Sequence, residues 1–168
     1  MSPSAGMVSC LGVALVLLLG GASCTPVDVS PSVQVSIETI PDMAAYRKAN
    51  PDLHLVPLAS RSATVPEAGS TRQVITYTIG QHSAGERLVG MASNQQSWAT
   101  PQDVKLELQY PTAGVGAFVT YVEVVVNQSS SAGRGYIVSG GVGQRNVRLV
   151  IEAYDTFFFN YNAAIYGR

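Results

Sequence analysis

An antiparallel all-β domain, a sandwich or barrel of about seven short strands, is the fold class this sequence predicts. Three observations carry it. From Thr71 onward apolar and polar residues alternate with a period of two, as on a pleated strand, and not with the 3.6 of a helix. The densest run, Phe118 to Val126, is nearly all β-branched or aromatic, the side chains that pack best on a sheet. The segments between runs are turn-rich, and none of them has the length and spacing of a long helix.

The elements follow in order. Gln73 to Ile79 sets Ile75, Tyr77 and Ile79 on one face and Thr76 and Thr78 on the other. A turn over Gly80 to Gly85 leads to a shorter strand, Arg87 to Met91. In Val104 to Tyr110, apolar Val104, Leu106, Leu108 and Tyr110 alternate with Lys105, Glu107 and Gln109, one buried and one wet face, until Pro111 ends the run. Phe118 to Val126 reads as a central strand covered on both faces. Arg134 to Ser139 and Val147 to Ala153 come next. After a Tyr154–Asp155 turn, Phe157, Phe159, Tyr161, Ala163 and Ile165 share the last buried face, leaving Phe158 and Tyr166 as candidates for an outward contact. Residues 70–168 thus form one all-β domain.

Two segments precede it. Residues 1–24 hold no charged side chain; the apolar run Leu11 to Leu19 is followed by Gly20, Gly21, Ala22 and Ser23. That order is a secretory signal peptide, cleaved after Ala22 or after Cys24. The run is shorter than the roughly 20 residues of a spanning helix, so no stable membrane span is expected. Small residues before Cys24 also fit an acylated lipoprotein, a lesser alternative because Leu is missing three positions before the cysteine. Cys10 and Cys24 are the two cysteines, so a cleaved chain carries no disulfide and no thiol chemistry. Residues 25–69 are punctuated by Pro26, Pro31, Pro41, Pro51, Pro57 and Pro66 and are expected to form a Pro-rich, largely irregular extension. Within it, Ser32 to Ile40 alternates like a short edge strand, and Pro41 to Asn50 suits two helical turns with proline near the start.

Only 12% of residues are charged and the net charge is −1, so no global field draws the chain to nucleic acid, and direct nucleic-acid binding is not expected. No catalytic, cofactor-binding or metal-binding residue stands out. The glycines of Ser139 to Asn146 lead into a strand, whereas a phosphate loop needs a Lys-Ser/Thr pair opening a helix. They suit a hairpin connection. His82, Ser83 and Glu86 form a local cluster in a turn with no catalytic motif around it. Glu107, Glu123 and Glu152 sit on separate strands, where a carboxylate normally faces water. The chain is therefore expected not to be an enzyme. Asn127-Gln128-Ser129 is an N-glycosylation sequon in an expected Ser/Gly-rich surface loop, Asn127 to Gly133, which makes Asn127 the candidate modification site.

Several stretches are shared with one family: GERLV after the Ile79–Gly80 turn, the lone Trp98, the strand Tyr121 to Ala153 with its turn Ser139-Gly140-Gly141-Val142-Gly143, and the aromatic end Phe157 to Gly167. Over about Thr71 to Arg168 the chain resembles the insect multiprotein bridging factor 2 family. The family name implies a transcriptional co-activator that bridges a DNA-bound regulator and basal transcription factors. Most members nevertheless look like small secreted proteins. The expected function is a secreted, extracellular β-domain, non-catalytic, that binds an unknown protein or small apolar ligand or serves as a structural protein. The co-activator role, with a basal transcription factor as partner, is the alternative.

Overall fold

The computed structural model describes residues 32–54, 56–67 and 70–168. The signal-peptide reading of residues 1–24 lies outside them. Eight strands and one short helix are formed: β1 Gln34–Thr39, α1 Met43–Ala49, β2 Val56–Pro57, β3 Ala59–Glu67, β4 Ser70–Gly80, β5 Arg87–Tyr110, β6 Val119–Gln128, β7 Gly133–Gly140 and β8 Val147–Gly167. A 3-10 turn, Pro51–His54, follows α1. The helix starts where Asp42 Oδ1 accepts the Ala45 amide at 2.9 Å, and it ends with Arg47 and Lys48 in its last turn, where cations suit the carbonyl end.

All strands pair antiparallel in one open sheet, ordered β1-β5-β8-β6-β4-β3, with β7 between β8 and β2. The long strands explain the shape. Strand β8 pairs along one edge with most of β5; on its other edge it takes β7 against Val147–Ala153 and β6 against Phe159–Gly167. The sheet therefore has two halves that share β5 and β8. One contains β3, β4, β6 and the first part of β5; the other contains β2, β7, β1 and the last part of β5. Strands pass between halves at bends, as in orthogonal packing. In β5 the bend is the irregular register from Ser97 to Val104; in β8 it falls at Asp155, whose φ is 52°.

The halves face each other across one core that includes Ile75, Tyr77, Leu106, Leu108, Val124, Val126, Leu149, Ile151, Phe159 and Ile165. Tyr77 of β4 packs onto β7, in the opposite half. A Cβ at Gly133 would lie 2.8 Å from Tyr77 Oη, and one at Gly135 would lie 2.8 Å from both Tyr77 Cδ1 and Leu58 Cδ1. Glycine is required there because the aromatic ring lies against the strand backbone.

The all-β antiparallel class is therefore what the structure shows, with three differences of detail. Arg87–Met91 and Val104–Tyr110 are ends of one 24-residue strand, and Val147–Ala153 and Phe157–Ile165 belong to one 21-residue strand. The expected Tyr154–Asp155 turn is a bend inside β8. Residues 34–67, expected to be largely irregular, carry the edge strand and helix that the sequence allowed, and also β2 and β3. Proline misled there: Pro57 and Pro66 lie on outer strands, where a missing amide removes no required ladder bond.

Candidate binding face

Alternation along β8 turns Phe159, Tyr161, Ala163 and Ile165 into the core and Phe158, Asn160, Asn162, Ala164 and Tyr166 outward. Register then fixes their neighbours, since directly paired residues share a face. Asn127 of β6 lies between Val74 and Asn160, and Asn160 also faces Gln95. Thr76, Val125, Asn162 and Ser93 form the next row; Thr78, Glu123, Ala164 and Met91 the one after. Tyr121 and Tyr166 pair at one end, and Phe158 pairs with Ser97 at the other. The result is a broad, mostly neutral face of amide and hydroxyl rows with aromatics at both ends.

All three residues singled out from the sequence for surface roles, Asn127, Phe158 and Tyr166, lie on this face, separated by up to 39 positions in the chain. Asn127 is not in a loop, however: it is a half-buried residue of β6. The strand extends past the expected boundary because Gln128, fully buried, donates from Nε2 to the carbonyls of Ser130 (2.8 Å) and Ala132 (3.0 Å), and so the connection starts at Ser129, two residues later than expected. The sequon's Ser129 is engaged too, with Thr156 Oγ1 3.1 Å from both its amide and its Oγ.

At the aromatic end, His82 lies against Tyr121 with the rings tilted by 45° (centroids 4.1 Å apart) and meets Tyr166 edge-on at 4.8 Å. Its Nδ1 contacts Glu86 Oε1. The other Glu86 oxygen accepts from Thr120 Oγ1 at 2.5 Å and from the Ser83 amide at 3.1 Å. The Thr120 hydroxyl, the His82 ring and the Ser83 amide hold the Glu86 carboxyl well below the usual range, at about 2, against the opposing effect of burial. Ser83 Oγ points weakly at the same carboxylate, 3.4 Å away, and makes no approach to the imidazole that would activate it. The cluster pins a turn. The sequence showed its members but not the two tyrosines that complete it.

On the outer face of the other half the centre is covered, while Glu38, Gln109 and Arg134 around it are exposed. There Glu152 is fully buried, with Lys105 and Tyr136 nearly so. Arg47, from α1, donates to Glu152 Oε2 through Nε (3.0 Å) and Nη2 (2.5 Å) and to Tyr136 Oη at 3.1 Å, and it also contacts the Tyr154 hydroxyl. Tyr154 in turn donates to Glu152. Burial, reinforced by the bond to Glu152, pushes the Tyr154 phenol up. Lys105 pairs with Glu38 at 2.9 Å, and Glu107 with Arg148 at 2.5 Å. Thus Glu107 and Glu152 are held by cations on this half, while Glu123 lies on the other half and accepts from Tyr121 Oη at 3.0 Å. The three carboxylates do not form an acid–base pair. The Ser139–Asn146 glycines are the β7–β8 hairpin, with Gly140, Gly141 and Gly143 at positive φ.

Among the described residues, no group of three or more His, Cys, Asp or Glu is placed to hold a metal ion, and no helix is long and apolar enough to cross a membrane. Fold and surface together define an all-β protein with one sheet face covered at its centre and the other open. Residues 79–167 match the family described as transcription activator MBF2, and the chain belongs to that family. The match begins at the end of β4 and takes in β5 to β8, the strands that supply most of the open face; α1 and its Arg47 lie before it. No curated protein and no solved structure matches the chain.

Proposed function

We propose that the chain is a secreted, non-catalytic protein that binds another protein through the open face of β4, β6, β8 and the first part of β5. The observation that carries this reading is the contrast between the two faces. One is covered at its centre by α1, whose Arg47 pairs with the buried Glu152, while the other leaves Asn160, Asn162, Phe158 and Tyr166 at the surface. Flat rows of neutral amides and hydroxyls with aromatic ends suit a polar polypeptide surface better than a small apolar ligand, which needs an enclosing pocket. The groove of Gln95, Gln96, Ser97, Phe158 and Asn160 is shallow and open. Secretion rests on the signal-like residues 1–24, and glycosylation of Asn127 goes with it.

Expression of the tagged full-length chain in insect cells, with mass spectrometry of the N-terminus and of the Asn127 peptide, tests the reading. The expected product is in the medium, starts after Ala22 or Cys24, and carries a glycan on Asn127. A chain retained in the cell with Met1 intact would refute it. That outcome would support the second reading, favoured by the family description: a transcriptional co-activator bridging a DNA-bound regulator and basal transcription factors. A pull-down with those factors checks it directly.

A further inference from the structure

The open half of the sheet ends in a strand edge that differs from every other edge in the described residues. Strand β5 pairs through Met91–Ser97 with Ala164–Phe158 of β8 on its inner side. On its outer side β1 reaches only Val104–Gln109, and no described strand pairs with 91–97. An unpaired edge is a template for another strand, and proteins usually blunt it with charge, proline or shortness. The other outer strands carry such guards. Strand β3 has Arg61 and Pro66; β2 is two residues long and contains Pro57; β1 is six residues long and contains Glu38. Met91-Ala92-Ser93-Asn94-Gln95-Gln96-Ser97 has no charged residue, no proline and no glycine.

We propose that this edge pairs antiparallel with the same edge of a second copy of the chain, forming a two-fold dimer whose sheet runs continuously through both copies. The sequence sets no like charges opposite one another in that arrangement. With the axis at Asn94, Met91 lies opposite the partner's Ser97, Ala92 opposite the partner's Gln96, and Ser93 opposite the partner's Gln95. The backbone agrees. The Gln95 amide takes Asn94 Oδ1, on its own strand, at 2.7 Å, and so points away from β8. Amides of alternate residues share an edge, so those of Met91, Ser93, Gln95 and Ser97 face the partner and form its hydrogen-bonded pairs, with Asn94 at a non-hydrogen-bonded position on the axis. The segment has natural limits: the Val89 carbonyl is capped by Ser32 Oγ at 2.9 Å, and the β5 bend begins after Ser97. A closed two-fold pairing uses up both edges and stops there, unlike open-ended strand addition. The dimer would also join the two open faces edge to edge.

Sedimentation equilibrium of the purified chain, as the cell delivers it, tests this. The wild-type chain is expected to be a dimer. Asn94→Lys and Asn94→Glu each place like charges directly opposite one another on the axis and should weaken association about two- to five-fold. An equimolar mixture of the two should restore it. Hydrogen exchange adds a second readout: the amides of Met91, Ser93, Gln95 and Ser97 should be protected in the wild-type dimer and exposed in each charged variant alone, while those of Ala92, Asn94 and Gln96, which face β8, stay protected in both. A wild-type monomer at about 100 µM, well above the working range of a specific dimer, overturns the proposal. So does a dimer indifferent to both variants, since its interface lies elsewhere. Protection of the Met91, Ser93, Gln95 and Ser97 amides persisting in a monomeric variant also overturns it, because the edge is then covered within one chain.

Discussion

Loss of Arg47 should detach α1 from the sheet and leave Glu152 as an uncompensated buried carboxylate. Removing one partner of a buried ion pair costs about 3–5 kcal/mol. Glu152 is fully buried, but Arg47 retains 31% exposure and the Tyr154 hydroxyl still donates to the carboxylate. Solvent screening on the arginine side brings the expected cost of Arg47→Met to about 2–3 kcal/mol. For a chain of this size that lowers Tm by about 4–12 °C. The double variant Arg47→Met/Glu152→Met removes the charge as well as its partner and should cost less than the single one, since a buried pair replaced by apolar groups is often neutral. Urea unfolding of wild type, both single variants and the double variant closes the cycle. Hydrogen exchange should show residues 41–54 opening in Arg47→Met while the β6 and β8 amides stay protected. A single-variant cost below about 0.5 kcal/mol would place the pair among ordinary surface bridges and refute the burial argument.

Three further outcomes are expected. Gly135→Ala puts a methyl 2.8 Å from both Tyr77 and Leu58 and should cost about 1–3 kcal/mol by urea titration, because β7 cannot back away from the ring without breaking its ladder. The Glu86 carboxyl titrates at about 2 in the fold instead of 4.5, so its bonds stabilise fully above pH 4.5 and are lost as pH falls toward 2. Glu86→Gln should therefore flatten the loss of stability in that window, measured by circular dichroism in urea at stepped pH. Burial raises the phenols of Tyr77 and Tyr154, so the stability they lend is complete below pH 10 and declines as pH rises beyond it. Absorbance at 295 nm should show part of the tyrosine titration delayed beyond pH 10 in the folded chain and restored to about 10 in urea.

Much of the face was legible, and the reason is periodicity. Alternation in β6 and β8 placed Phe158 and Tyr166 opposite the buried row without any tertiary information. What alternation does not carry is the partner strand, so nothing in the sequence put Asn127 beside Asn160 or Tyr121 beside Tyr166. Asn127 itself was misplaced into a loop because Gln128-Ser129-Ser130-Ser131 reads as turn composition. A buried glutamine bonding two carbonyls is a tertiary event with no local signature.

The sequence by itself determined most strand faces, the hairpin glycines, the short helix after Pro41, and the family to which residues 79–167 belong; Phe157, expected on the buried face, is exposed just past the β8 bend, where Thr156 is buried instead. Those properties rest on local chemistry: side-chain period, backbone freedom and motif identity. Only the tertiary structure decided that two long bent strands carry the chain from one half of the sheet to the other. It also decided that Arg47 covers the centre of one face over Glu152 while the second stays open, and that one edge of β5 is left without a guard. Pairing, coverage and exposure depend on which distant residues meet, and here the meetings span up to 107 positions, between Arg47 and Tyr154.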